Sequence, residues 1–313
     1  MLGLVCSNIY LARLLHVILM TRLLPLAWSA PAPSGTRQSP SSQQSSPVNV
    51  PTNGDSLAAA WIYLSDNTKY DTIPAIWHSI DFSTVDTLMI APVGIQADGK
   101  FGLFQSDEKG DLTKRFQWTV QEAKKQNPNI KLIASQFWGG NIKTWGNDLS
   151  YLYQTGDKTA IDRYAASVAD FMKTWPSIDG YDVDYETTNI NTRFPSVINA
   201  VRAKLDKRYL LTISPADTRF LKDIVGKIDY VNMQNYGGSS TLTVKSFTDV
   251  GFKANKLLYG YNAEQPQTGR PIEDIKDIYQ TEGLAGIHVW RLNSNIQKLE
   301  GDRQKEVHEF LHD

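Results

Sequence analysis

Cysteine is nearly missing from this chain of 313 residues, with Cys6 the only one. It lies in the N-terminal leader, so the mature protein is expected to hold neither thiol nor disulfide, and cysteine usage does not indicate a compartment. No Asn-x-Ser/Thr acceptor occurs, and N-glycosylation of the chain itself is not expected. Neither sign of charge is in excess: 32 basic and 33 acidic residues leave a formal net charge of −1. With no basic block and no nucleic-acid motif, a polyanion partner is not expected. The histidines, 5 in number, show no ligand spacing, so no metal is expected, and no cofactor. The first strand-like run is not followed by a glycine-rich phosphate turn, which speaks against a dinucleotide-binding sheet.

The apolar runs are short except at the start. Met1 to Ala30 is mostly apolar and has no acid, but Arg13 and Arg22 interrupt it. It is too broken to be a good membrane span. A second start at Met20 leaves a short leader ending in small residues, Ser29, Ala30 and Ala32. Residues 1–30 therefore read as an export signal of imperfect form, with a signal anchor as the alternative, and secretion is the expected localisation. Residues 31–55 are rich in Ser, Pro and Gln, and their scarce apolar surface gives a disordered linker. Residues 56–313 remain for the folded domain. That is close to the about 250 residues of a single (β/α)₈ TIM barrel.

Within that span, β-rich runs alternate with helical patterns. The runs are Ala58 to Ser65, Thr87 to Gly94, Ile130 to Gln136, Ile178 to Glu186, Tyr209 to Pro215, Ile228 to Tyr236, Lys256 to Tyr261 and Gly286 to Arg291. Ile161 to Trp175 and Phe194 to Leu205 carry apolar residues at helical spacing, and Asp302 to His312 reads as a charged last helix. Regular alternation points to a parallel sheet covered by helices, and eight units favour closure into a barrel over an open, doubly wound sheet.

One run stands apart: Ser177-Ile178-Asp179-Gly180-Tyr181-Asp182-Val183-Asp184-Tyr185-Glu186. Side chains alternate along a strand, so Asp182, Asp184 and Glu186 share one face. In a barrel that face is the interior, and Glu186 lies at the C-terminal mouth where barrel enzymes keep their chemistry. Carboxylates at this spacing repel, so at least one should hold its proton above the usual pH. A carboxylic acid kept neutral in this way is a general acid. A solvated acidic loop explains the charges but not the interleaved Ile178, Tyr181, Val183 and Tyr185.

This run resembles the Asp-x-x-Asp-x-Asp-x-Glu signature of glycoside hydrolase family 18, filled here by Asp179, Asp182, Asp184 and Glu186 and placed, as in that family, on the fourth strand. Asn232-Met233-Gln234-Asn235-Tyr236-Gly237 looks like the family's Met/Gln-x-Tyr element, and Trp290 stands on the last strand where the family keeps a tryptophan under the sugar. The third strand departs: the family's Ser-x-Gly-Gly is stretched to Ser135-Gln136-Phe137-Trp138-Gly139-Gly140.

The resemblance implies hydrolysis of β-1,4-linked N-acetylglucosamine chains by substrate-assisted catalysis with retention. It gives Glu186 the proton, Asp184 the acetamido N–H, Asp182 a supporting place behind Asp184, and Tyr236 the acetamido carbonyl. Gln234, Trp290 and Asp179 fall among the substrate-binding positions. Gln234 and Tyr236 also fit a structural role at a strand end, and Trp290 a core role. Tyr181 and Tyr185 read as packing, as do Trp138 and Trp145 with less force. Arg291, Asn293, Tyr261 and Asn262 follow strands at the same face without an assignable role. The implied substrate is the chitobiose core of an N-glycan, since Tyr236 is followed by Gly237-Gly238, which leaves room for a branched sugar. Linear chitin is the alternative, and a non-catalytic sugar-binding barrel is disfavoured by the presence of Glu186. A monomer, free of the membrane after processing, is expected.

Overall fold

In the computed structural model, the apolar runs form eight parallel strands. They are β1 (Leu57–Tyr63), β2 (Thr87–Ile95), β3 (Lys131–Gln136), β4 (Gly180–Tyr185), β5 (Leu210–Pro215), β6 (Tyr230–Met233), β7 (Leu257–Asn262) and β8 (Gly286–Trp290). Each pairs with its sequence neighbours, and β1 pairs in parallel with both β2 and β8, so the sheet closes into the expected barrel. The structure describes residues 56–313 apart from 66–67, 97, 104, 107–108, 137–151, 153–156, 187–191 and 237–241. The leader, the Ser/Pro/Gln-rich stretch, Trp138, Trp145, the Gly139-Gly140 pair and Gly237-Gly238 lie outside the described residues.

The helices are α1 (Thr113–Gln126), α2 (Lys158–Thr174), α3 (Phe194–Lys204), α4 (Val244–Asp249), α5 (Ile272–Glu282) and α6 (Gln297–His312). The alternation is less regular than the sequence pattern implied. The connections after β1 and β5 carry short 3₁₀ turns, at Ala75–Ser79, Phe82–Thr84 and Lys222–Lys227, where an α-helix was expected. Helix α2 begins where Asp157 accepts the Thr159 N–H at 2.7 Å, and it buries Ile161, Tyr164, Val168, Phe171 and Met172. That is the stripe read from the sequence.

The strands separate two apolar layers. Outside, they pack on the helices; Tyr181 and Tyr185 belong here, Tyr181 bonded to the Tyr164 hydroxyl at 2.6 Å and Tyr185 stacked 4.1 Å from Phe194. Inside, Ala59, Trp61, Met89, Ile133, Leu210, Tyr230 and Leu258 form a second buried cluster in the barrel.

Arg115 on α1 is fully buried and ties down the connection after β1. Its guanidinium donates to the carbonyls of Leu64 (2.7 Å), Thr72 (2.9 Å) and Lys69 (3.0 Å) and to Thr68 Oγ1 (2.6 Å), and it lies 5.2 Å from the rings of Tyr70 and Trp77. Arg115→Met keeps the apolar stem and removes every donor. Stranding these acceptors should cost about 3 kcal/mol, read as a lower midpoint in urea. An unchanged midpoint would show that the loop is held by other contacts.

Candidate active site

The site is built upward from the middle of the barrel. Strand alternation turns Tyr181, Val183 and Tyr185 outward and Asp182 and Asp184 inward. Register sets Asp182 beside Ser135 on β3 and Thr212 on β5, with Ser214 beside Asp184. The fully buried Asp182 carboxyl accepts from Ser135 Oγ at 2.8 Å, Thr212 Oγ1 at 2.7 Å and Ser214 Oγ at 3.0 and 3.1 Å, with Asn232 Nδ2 of β6 at 3.4 Å. Burial raises its pKa and these donors lower it; burial prevails, and Asp182 lies above its ordinary value.

Asp184 is one layer higher. Gln234 reaches across from β6, its Nε2 donating at 2.7 Å to Asp184 Oδ1 and at 2.7 Å to the Ser214 carbonyl, so both amide protons are used. Burial first, then repulsion by Glu186 and by Asp182, holds the Asp184 carboxyl well above the usual range. Glu186, just past the end of β4 and partly exposed, lies beside Asp184. Two neighbouring carboxyls resist ionising together, so the proton of one depends on the charge of the other.

Tyr236 and Trp290 reach the same mouth from β6 and β8. The Tyr236 ring lies against Gly260 of β7, where an added Cβ would come within 2.5 Å of it, and edge-on to His288 at 5.7 Å. Asn235 Oδ1 accepts the Gly260 N–H at 2.9 Å, extending the β6–β7 pairing just below the tyrosine. Trp290 is partly exposed and rests edge-on upon Trp61 at 5.6 Å, with a cis peptide joining it to Arg291. His288, inward-facing and buried, bonds the Met233 carbonyl at 2.9 Å; burial lowers its pKa to about 4, so it stays neutral.

Asp182, Asp184, Glu186 and Gln234 are thus in one connected group, with Tyr236 and Trp290 at the same end of the barrel. Asp179 is not brought there. It precedes β4 at the opposite end, roughly 20 Å along the strand from Glu186 at about 3.3 Å per residue. It accepts the Leu132 N–H at 2.9 Å and pairs with Lys124 at 3.1 Å and Lys131 at 3.7 Å. Its place among the substrate-binding residues is therefore corrected to one at the strand start. Asn293 clamps both backbone groups of Tyr63, at 3.0 and 2.7 Å, and Arg291 pairs with Glu264 at 3.3 Å. Tyr261 faces the outer layer, and Asn262 accepts the Gln265 N–H at 2.9 Å.

Sequence reasoning missed the cradle of Ser135, Thr212, Ser214 and Asn232. Its signal was present: polar residues at inward positions of otherwise apolar strands. It also missed that His308 and His312, one helical turn apart on α6, meet Asp86.

A parallel (β/α)₈ barrel with stacked acids at its C-terminal mouth defines an acid–base enzyme of the barrel class. More specifically, the chain belongs to glycosyl hydrolase family 18, whose sequence profile matches residues 59–269. Similar solved structures carry the same fold at low identity. Chitinase ChiW from Paenibacillus sp. str. FPU-7 has a TM-score of 0.61 and 15% identity over 82% of this chain; this chain spans only 42% of that multi-modular enzyme. A fungal endo-β-N-acetylglucosaminidase of family 18 has a TM-score of 0.61 and 16% identity, covering 81% of this chain and 97% of its own. A class V chitinase mutant from Nicotiana tobaccum, solved in complex with NAG4, has a TM-score of 0.60 and 10% identity over 83% of this chain and 99% of its own. No curated protein sequence matches the chain.

Proposed function

We propose that this glycoside hydrolase cleaves β-1,4 linkages between N-acetylglucosamine units with retention, using the substrate's own acetamido oxygen as nucleophile, and that its natural target is the chitobiose core of N-glycans. The observation that carries the mechanism is the Asp184 carboxyl, held by Gln234 at 2.7 Å and set beside Glu186 at the mouth of the barrel. A retaining enzyme with a protein nucleophile needs an ionised carboxylate about 5 to 5.5 Å from its acid. Burial and the neighbouring Glu186 hold the Asp184 carboxyl well above the usual range, so it is poorly ionised, which suits an orienting partner rather than a nucleophile. Glu186 protonates the glycosidic oxygen and then takes a proton from the incoming water. Asp184 orients the acetamido N–H and balances charge on the ring, with Asp182 behind it. Tyr236 donates to the acetamido oxygen, and Trp290 lies under the sugar.

The N-glycan reading rests on Gly237-Gly238 after Tyr236, which leaves space beside the reacting sugar. Product analysis on a high-mannose glycoprotein and on a chitin oligomer separates the substrates. Release of a glycan ending in a single N-acetylglucosamine supports the proposal, whereas turnover of the oligomer alone assigns a chitinase. Residues 1–30 act as an export signal and 31–55 as a spacer. The burial of Leu57 onward as the first strand supports only a domain start near residue 56. N-terminal sequencing of protein from the medium tests this, and retention in the cell contradicts it.

A further inference from the structure

The N-terminal face of the barrel carries a repeated device, one copy of which is built differently. In two copies an Asp just before an even-numbered strand accepts an N–H from the preceding strand and pairs with a cation from the helix before that strand. Asp179 takes the Leu132 N–H at 2.9 Å and Lys124 of α1 at 3.1 Å. Asp229 takes the Leu211 N–H at 2.8 Å and Arg202 of α3 at 3.4 Å. In the third copy Asp86 takes the Ala58 N–H at 2.7 Å, but α6 supplies histidines: His312 Nε2 at 2.9 Å, and His308 one turn earlier with its ring 4.5 Å from that of His312.

An ion pair needs one cation, and lysine or arginine fills that place twice. Two imidazoles on one turn facing a carboxylate form a different donor set. One ligand atom from each of Asp86, His308 and His312 lies within 4.8 Å of the other two. Neutral imidazole nitrogen with carboxylate oxygen suits zinc and its borderline neighbours, with bonds of about 2.0 to 2.2 Å. The i,i+4 spacing holds both rings on one face of α6. The Ala58 N–H already orients Asp86, as outer hydrogen bonds orient metal-bound carboxylates. All three residues are at least partly exposed, so water can reach a fourth position on an ion held between them.

We infer that Asp86, His308 and His312 form a binding site for a divalent ion of the zinc class, clamping α6 to the start of β2 at the end of the barrel opposite Glu186. The test is titration of the full chain with Zn²⁺ followed by calorimetry, and with Co²⁺ followed by its visible absorption, alongside thermal midpoints with Zn²⁺ and with chelator. One equivalent should bind and raise the midpoint, and the chelator should reverse the shift. The His308→Ala/His312→Ala variant should weaken binding by roughly tenfold or more and lose the shift, with glycan hydrolysis unchanged. His312→Lys restores the ion pair of the other two copies; it should keep the metal-free midpoint while losing the response to Zn²⁺. Absence of Zn²⁺ uptake at submillimolar ion, or undiminished binding and shift in both variants, would overturn the site.

Discussion

Glu186→Gln is expected to leave a folded protein whose glycoside hydrolysis falls by about 10²- to 10⁴-fold, the usual worth of a positioned general acid. Glutamine matches glutamate in shape and can still hydrogen-bond to Asp184, so the stack over Asp182 should survive. What disappears is the proton that the leaving oxygen needs as the glycosidic bond breaks. The loss should therefore appear in kcat, with KM little changed. It should also depend on the leaving group, since an aryl glycoside departs with less protonation and ought to lose far less rate than a sugar. Full activity on the natural substrate in the folded variant would remove Glu186 from the acid role. An equal loss on both leaving groups would point to damaged binding instead.

Much of this site was legible because strand physics is strict. A period of two placed Asp182, Asp184 and Glu186 on one face, and the same period sent Tyr181 and Tyr185 into the outer layer, where they pack on Phe194 and bond Tyr164. Asp179 was misplaced because the signature is longer than the mouth: its first acid lies at the strand's start, where it meets a backbone N–H and two lysines. Ser135, Thr212 and Ser214 read in sequence as ordinary strand residues, and only the register of β3, β4 and β5 shows that they converge on one carboxyl. Helix α6 starts at Gln297, not Asp302, for a related reason. Its inner face is largely polar and tied to the barrel by single bonds: Glu300 accepts the Ser294 N–H at 2.9 Å and Gln304 donates to the Thr84 carbonyl at 2.7 Å. An amphipathic pattern cannot register a buried face made of glutamate and glutamine. The same blindness hid Asp86, His308 and His312, since a carboxylate and a helix distant in sequence meet only when the barrel closes.

Asp184→Asn should move activity and stability in opposite directions. The folded state raises the Asp184 pKa above that of the unfolded chain, by burial and by repulsion from Glu186 and Asp182. Between the two values the folded protein binds the extra proton, so stability falls as pH rises through that interval and stays lower above it. Asparagine cannot ionise, and it also relieves Glu186 of a like-charged neighbour, while its Oδ1 can still accept from Gln234. The variant should therefore melt above the parent at neutral pH, with the gap closing towards pH 3. Each kcal/mol gained moves the midpoint of a domain this size by about 2–4 °C. Hydrolysis should drop by about 10²- to 10³-fold, the scale of losing one group aimed at charge that develops in the transition state. If the acetamido oxygen is the nucleophile, this loss belongs to the step that closes the oxazoline ring. A preformed oxazoline donor bypasses that step, and the variant should still transfer it to an acceptor sugar. Hydrolysis at the parent rate would remove Asp184 from the chemistry, and failure to use the oxazoline in a variant that still binds the donor would reopen the case for a nucleophile on the protein. A midpoint lower than the parent's at neutral pH would show that the carboxyl is stabilising where it stands, and that repulsion and burial do not dominate its environment.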